Sequence, residues 1–166
     1  MMDPHVDLTE TPEAAPRGDA SQGDAKEHLR LWLRLLKTSR RIEAVLRDRL
    51  RTEFDTTLPR FDVLAALARF EDGLKMSALS DVLRVSNGNV TGIVDRLVED
   101  GLVTRIRVPG DRRASLVRLT GKGSTEFARQ AAAHESWIGE MLGALSPEDA
   151  AHLSVQLDAI SPSEAP

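Results

Sequence analysis

Two runs in this chain carry side chains suited to holding a polyanion. The first is Ser86-Asn87-Gly88-Asn89-Val90-Thr91, small and polar, without a charge. Serine is a natural helix N-cap, and the free backbone N–H groups at a helix start attract phosphate. Asn87 and Asn89 can pair with adenine edges or donate to phosphate oxygens; the plainer alternative is that the four residues from Ser86 only turn and cap the chain. The second run is arginine-rich. Leu102, Thr104, Ile106 and Val108 alternate with Val103, Arg105 and Arg107, which puts both arginines on one strand face. Val108-Pro109-Gly110-Asp111 then turns the chain, with Arg112 and Arg113 beside the turn. An arginine at a hairpin tip can enter a narrow, electronegative minor groove, and Asp111 can hold one guanidinium by a two-pronged ion pair. A merely solvated basic turn is the competing reading.

A helical pattern must carry the first run. Val90, Ile93, Val94 and Leu97 share one side, opposite Gly88, Gly92, Asp95 and Glu99, with Asn89 and Arg96 along one flank and Thr91 on the other. Each glycine costs roughly 1 kcal/mol against alanine inside a helix. Gly88 and Gly92 therefore predict a close neighbour on that face, either duplex DNA or a packed helix. A short apolar helix pattern from Leu74 to Leu83 precedes this helix, and strands from Leu102 to Leu119 follow it. The sequence of elements is a winged helix-turn-helix over residues 74–120.

The flanks extend the helical pattern. Leu29, Trp32, Leu33, Leu36, Ile42, Val45, Leu46 and Leu50 form one stripe, backed by Arg30, Arg34, Lys37, Arg40, Arg41 and Arg47. Phe61, Leu64 and Leu67 face inward on a helix begun by Pro59 and ended by Glu71-Asp72-Gly73. Gly121-Lys122-Gly123 reads as a break before a long helix bearing Phe127, Ala131, Ile138 and Leu142. Ser146-Pro147-Glu148-Asp149 is a strong start for a last helix with Leu153, Leu157 and Ile160. Six helices around a two- or three-stranded wing are predicted, a mainly α fold with a small β wing.

The net charge of −4 over 166 residues conceals a division along the chain. Residues 1–27 hold 7 acidic and 2 basic groups, and residues 124–166 hold 7 and 1. Between them, residues 28–57 hold 4 and 8, and residues 58–123 hold 8 and 11. Local basic surface governs counterion release, so the overall acidity does not exclude DNA. No cysteine is present, which rules out thiolate zinc sites and thiol redox sensing. His5, His28, His134 and His152 are scattered without ligand spacing, so no metal or cofactor is expected, and Thr38, Ser39 and Ser136 have no base partner for catalysis. No apolar run reaches membrane-span length and the start lacks a signal peptide's pattern, which reads as cytoplasmic.

These motifs resemble the MarR (multiple antibiotic resistance regulator) family. Asp111-Arg112-Arg113-Ala114-Ser115-Leu116-Val117-Arg118-Leu119-Thr120 looks like its D-x-R…L-T wing signature. Val90 to Leu97, followed by Asp100-Gly101-Leu102-Val103, is similar to its recognition helix and exit. The resemblance spans roughly residues 28–160. It implies a homodimeric regulator, commonly a repressor, with first and last helices interleaved between subunits. It also implies a pseudo-palindromic operator and release by a small molecule. Asp111 and Arg113 then match the wing's acid and minor-groove arginine, and Ser86 to Thr91 face the major groove. Arg84 departs from the glycine frequent in the turn, and is a candidate phosphate contact.

The organisation expected is a disordered acidic tail over residues 1–25, a dimerisation helix over 26–57, a DNA-binding lobe over 58–123 and C-terminal dimerisation helices over 124–161. Trp32 and Trp137 read as core or dimer interface, and Trp32, Leu36 and Phe61 are candidate contacts for an aromatic effector. Constitutive architectural DNA binding without ligand control, or a winged-helix protein-interaction module, are the alternatives to a ligand-responsive regulator.

Overall fold

The computed structural model describes residues 18–108 and 111–160. Six helices and three strands follow the predicted order. They are α1 (Gly18–Phe54), α2 (Leu58–Ala68), β1 (Leu74–Lys75), α3 (Met76–Leu83), α4 (Asn87–Glu99), β2 (Val103–Val108), β3 (Asp111–Leu119), α5 (Gly121–Leu142) and α6 (Pro147–Ile160). The chain divides into two compact units, one up to Arg40 and one from Arg41 onward. The division falls inside α1, not after residue 57.

In the first unit the helix begins at Gly18, so residues 18–25 are helical where a tail was expected. Alanine is the best helix former, and residues 20 and 25 of this stretch are alanine. The rest of the expected tail lies outside the described residues. Leu29, Trp32 and Leu33 are each more than half exposed.

The second unit holds two apolar clusters. One joins Leu46 and Leu50 of α1 to Phe61 and Trp137, with Ile42, Phe54, Phe127 and Ile138 packed around them. Phe61 stacks on His134 with ring centroids 4.8 Å apart, and burial pushes the His134 imidazole below its ordinary pKa. Trp137 is thus core. Arg49 lies over its ring at 5.7 Å and pairs with Glu140 at 2.7 Å. The other cluster is built by Val63, Leu64 and Leu67 of α2, Leu79 of α3, Val90, Val94 and Leu97 of α4, and Val103 and Val117 of the sheet. It fixes α4 against the strands.

Residues 74 and 75, expected in helix, form a strand instead. Leu74 pairs with Val117 and Lys75 with Leu116, giving an antiparallel sheet ordered β1-β3-β2. Two residues are too few for an alternating pattern to show. Gly73, at φ +89°, brings the chain in: a Cβ there would lie 2.8 Å from the Val117 carbonyl oxygen.

Gly121-Lys122-Gly123 is the first turn of α5 and not a break. Thr120 caps it, its hydroxyl accepting from the Gly123 N–H at 2.9 Å and donating to the Gly101 carbonyl at 2.7 Å. A Cβ on Gly123 would sit 1.9 Å from the Leu102 carbonyl oxygen, whereas Gly121 meets nothing within 4 Å. Ser146 caps α6 as predicted, accepting from the Asp149 N–H at 3.1 Å. Leu153, Val155, Leu157 and Ile160 of that helix are exposed.

Gly123→Ala is therefore expected to lower the free energy of unfolding by about 2–3 kcal/mol, since relief requires main-chain movement. Gly121→Ala should stay within about 0.5 kcal/mol of the parent. Urea denaturation at one fixed protein concentration separates the two; equal effects would show that the α5 junction is not close-packed.

Candidate nucleic-acid interface

The helix-turn-helix is held by an unusual turn. Arg84 adopts φ +53°, ψ +40° after α3, and its N–H donates to Asp81 while the Val85 N–H donates to Ser80, at 3.1 and 3.2 Å. This is the left-handed helix ending that favours glycine, at roughly 1–2 kcal/mol for a side-chain-bearing residue. Glycine's usual place is thus occupied by an exposed cation at the entry to α4. Ser86 takes the N-cap position of α4, yet its side chain caps no helix N–H. The capping role expected of it is not formed, and the hydroxyl is exposed.

Helix α4 separates its faces as predicted. Val90, Val94 and Leu97 are completely buried, each contributing roughly 1.5–3 kcal/mol by burial. Gly88, Asn89, Thr91, Gly92 and Arg96 are exposed. Among the described residues nothing stands within 4 Å of a Cβ built on Gly88 or Gly92. A packed helix from this chain is therefore not what these glycines accommodate. The side chain of Asn87 lies outside the described residues.

Strand pairing places the wing arginines. Arg105 faces Val117 and Val103 faces Leu119 across the ladder, so Arg105 shares the helix-facing side of the sheet with buried Val103 and Val117. From there it reaches Asp95 of α4 at 2.7 Å. Residue spacing alone did not indicate this contact, because it crosses from helix to strand. Arg107 is on the same face, nearer the tip, and is exposed; neither it nor Arg96 has an ion-pair partner among the described residues. Beyond Arg107, which pairs with Ser115, the register jumps: Val108 pairs with Asp111. Arg112, Arg113 and Ala114 thus fall in an irregular stretch of β3, a device that commonly re-aims side chains. The side chains of Asp111, Arg112 and Arg113 lie outside the described residues.

Of the proposed effector contacts, Trp32 and Leu36 belong to the first unit, with Trp32 57% exposed, while Phe61 is buried in the second.

With this geometry in place, comparison with known proteins is decisive. A sequence profile of the MarR family matches residues 54–114. The transcriptional activatory protein BadR of Rhodopseudomonas palustris is 32% identical over 134 residues, covering 78% of this chain and 76% of that protein. The chain belongs to the MarR family. A MarR family transcriptional regulator from Silicibacter pomeroyi shares 35% identity at a TM-score of 0.69, covering 90% of this chain and all of that one. A variant of Escherichia coli MarR, solved with operator DNA, shares 26% identity at a TM-score of 0.72, covering 82% and 96% of the two chains. This MarR-family chain is a DNA-binding transcriptional regulator with the winged helix-turn-helix fold, and its relatives are regulators, not enzymes. Among the described residues no helix is long and apolar enough to cross a membrane.

The open glycine face yields a two-sided test. Gly92→Ala is expected to raise the unfolding free energy by about 0.5–1 kcal/mol while weakening duplex binding by about tenfold or more through steric exclusion. Denaturation and fluorescence anisotropy on the same preparation measure both; a stabilised variant with parental DNA affinity would remove close DNA approach as the reason for glycine there.

Proposed function

We propose that this protein is a homodimeric repressor that grips a pseudo-palindromic operator and is released by a small aromatic ligand. The observation that carries the reading is the bare face of α4. Two helix-weakening glycines are kept where no part of the described chain comes near, next to a basic wing. Operator binding by the Escherichia coli MarR variant supports the same use of the fold. In the proposed binding mode Ser86, Asn87, Gly88, Asn89 and Thr91 enter the major groove. Arg96, Arg105, Arg107 and Arg112 contact the backbone, and Arg113, steadied by Asp111, enters the minor groove.

Dimerisation is supported by apolar stripes at both ends of the chain. Leu29, Trp32 and Leu33 in the first unit, and Leu153, Val155, Leu157 and Ile160 on α6, are exposed, and exposed apolar stripes of this size mark association surfaces. The segment 28–57 carries net positive charge and 124–166 net negative charge, so two copies can complement one another. Two recognition helices per dimer then match half-sites one helical turn apart.

Ligand release needs a site that differs between two arrangements of the dimer. Trp32 and Leu36 in the first unit and, separately, Phe61 in the second are the aromatic-effector contacts we propose from their chemistry. A cavity of about 360 Å³ touching α4 offers a further route, lined by Pro59, Asp62, Leu83, Val85, Asn89 and Ile93. Asp62 is exposed as a residue, yet loss of water at its carboxyl, and then the Glu43 carboxylate, raise its pKa.

Duplexes selected from a random library should yield an inverted repeat. Arg113→Ala should weaken binding to it by roughly 1–3 kcal/mol at matched salt. Sedimentation should show a dimer, and an aromatic acid that raises the melting temperature should release the duplex. Parental affinity in the Arg113 variant would discard the wing's role; sequence-indifferent binding would favour an architectural protein, and no duplex binding a protein-interaction module. Reporter output that rises with operator occupancy would make it an activator.

A further inference from the structure

Two charges in the second unit sit at helix ends where the backbone disfavours them. Arg60 is a cation in the first turn of α2, and Asp100 is an acid at the C-cap of α4. Helix dipoles favour the opposite arrangement, an acid at the start and a cation at the end. Neither charge is explained by its own helix. They are explained by each other: a terminal nitrogen of Arg60 donates to Asp100 Oδ2 across 40 residues of chain. The Nε–H of Arg60 is enclosed and has no acceptor among the described residues, which opposes stability. The Asp100 side chain is 49% exposed, so the pair itself adds little. What such a pair contributes is the geometry it specifies.

That geometry concerns the recognition helix. Leu64 and Leu67 of α2 share an apolar cluster with Val90, Val94 and Leu97 of α4. Apolar burial is non-directional, so it holds α4 against α2 without fixing its rotation or the point where it stops. Asp100 lies just beyond Leu97 and is taken by cations from two other helices. Arg60 of α2 holds its carboxylate, and Lys122 Nζ of α5 donates to its carbonyl at 2.8 Å. Only Gly101 and Leu102 separate Asp100 from β2, so the end of α4 also sets where the wing begins. We propose that Arg60 is a positioning residue for DNA binding: by holding Asp100 it fixes the exit of the recognition helix and the spacing of that helix from the wing. This role requires duplex binding alone and is independent of the dimer and effector readings.

The sign of one effect separates positioning from simple electrostatics. Asp100→Asn removes an acid from a DNA-binding lobe, which by charge alone tightens duplex binding; loss of positioning weakens it. Anisotropy titrations at fixed salt use a duplex selected from a random library by the parental protein. Asp100→Asn and Arg60→Met should each bind it about threefold to tenfold more weakly. The double variant should be no weaker than either single one, because both break the same contact. Unfolding midpoints should stay near the parental value, since water replaces the partner of the half-exposed Asp100. Exchanging the charges, Arg60→Glu with Asp100→Arg, should restore affinity to within about twofold and raise the midpoint, each charge then matching its helix dipole. Parental or tighter binding by Asp100→Asn would overturn the assignment, as would losses that add in the double variant or an exchange that restores nothing. A salt slope reduced by about one in Arg60→Met alone would make Arg60 a direct phosphate contact instead. A midpoint that falls in step with affinity would reduce the pair to a purely structural one.

Discussion

The main-chain carbonyls of residues 100 to 102 are where the recognition helix, the wing and α5 are joined. Helix α4 ends in a left-handed glycine, Gly101 at φ +71°, with the Leu102 N–H donating back to Leu97 at 2.9 Å. The next carbonyl, that of Leu102, accepts from the Thr120 N–H at 3.0 Å and sits where a Cβ on Gly123 would be. Lys122 Nζ and the Thr120 hydroxyl take the carbonyls of Asp100 and Gly101. One turn of backbone is thereby fixed to a second helix by main-chain contact, which leaves little freedom for side chains to repack. The angle between α4 and the sheet depends on it, and so does the position of Arg105 relative to the recognition helix.

Away from this joint, local preferences are violated together at the turn into α4. Arg84 occupies a conformation made for glycine, while Gly88 and Gly92 occupy helix positions made for alanine. Each choice opposes stability, and neither glycine is compensated by packing within the described chain. Natural sequences tend to break such rules at functional sites. The inversion is informative because its elements are adjacent: a cation where the turn wants no side chain, then no side chain where the helix wants one. Both changes favour a polyanion brought close to the start of α4.

Much of this was legible in the residues. The buried stripe of α4, the basic strand and the Ser146 cap of α6 follow from period and chemistry. What escaped reading had physical reasons. Strand β1 is two residues long and borrows its regularity from β3. Gly121 and Gly123 look like a break because glycine is a poor helix former. Only the approach of the Leu102 carbonyl, twenty-one residues earlier in the chain, shows that Gly123 is demanded by contact. The start of α1 at Gly18 was hidden by composition, since acidic and small residues describe both a tail and a helix N-terminus. The Ser86 side chain has the right type for a cap and does not form one.

The pairing of Asp95 with Arg105 gives the interface a further property. Both side chains are more than a third exposed, so the pair adds little to stability, on the order of 0–1 kcal/mol. Its effect is positional, holding a wing arginine against the recognition helix. In the proposed binding mode that arginine has two possible partners, the carboxylate and a phosphate, and the carboxylate remains on the DNA-facing side whichever is chosen. An acid there repels phosphate in any register that does not return a specific contact. It subtracts from binding to every duplex, while the correct one regains energy through groove contacts. Discrimination is a difference of affinities, and the distribution of charge on α4 fits it: its exposed N-terminal half is neutral, Asp95 is partnered by Arg105, and Arg96 and Glu99 stand in the C-terminal half.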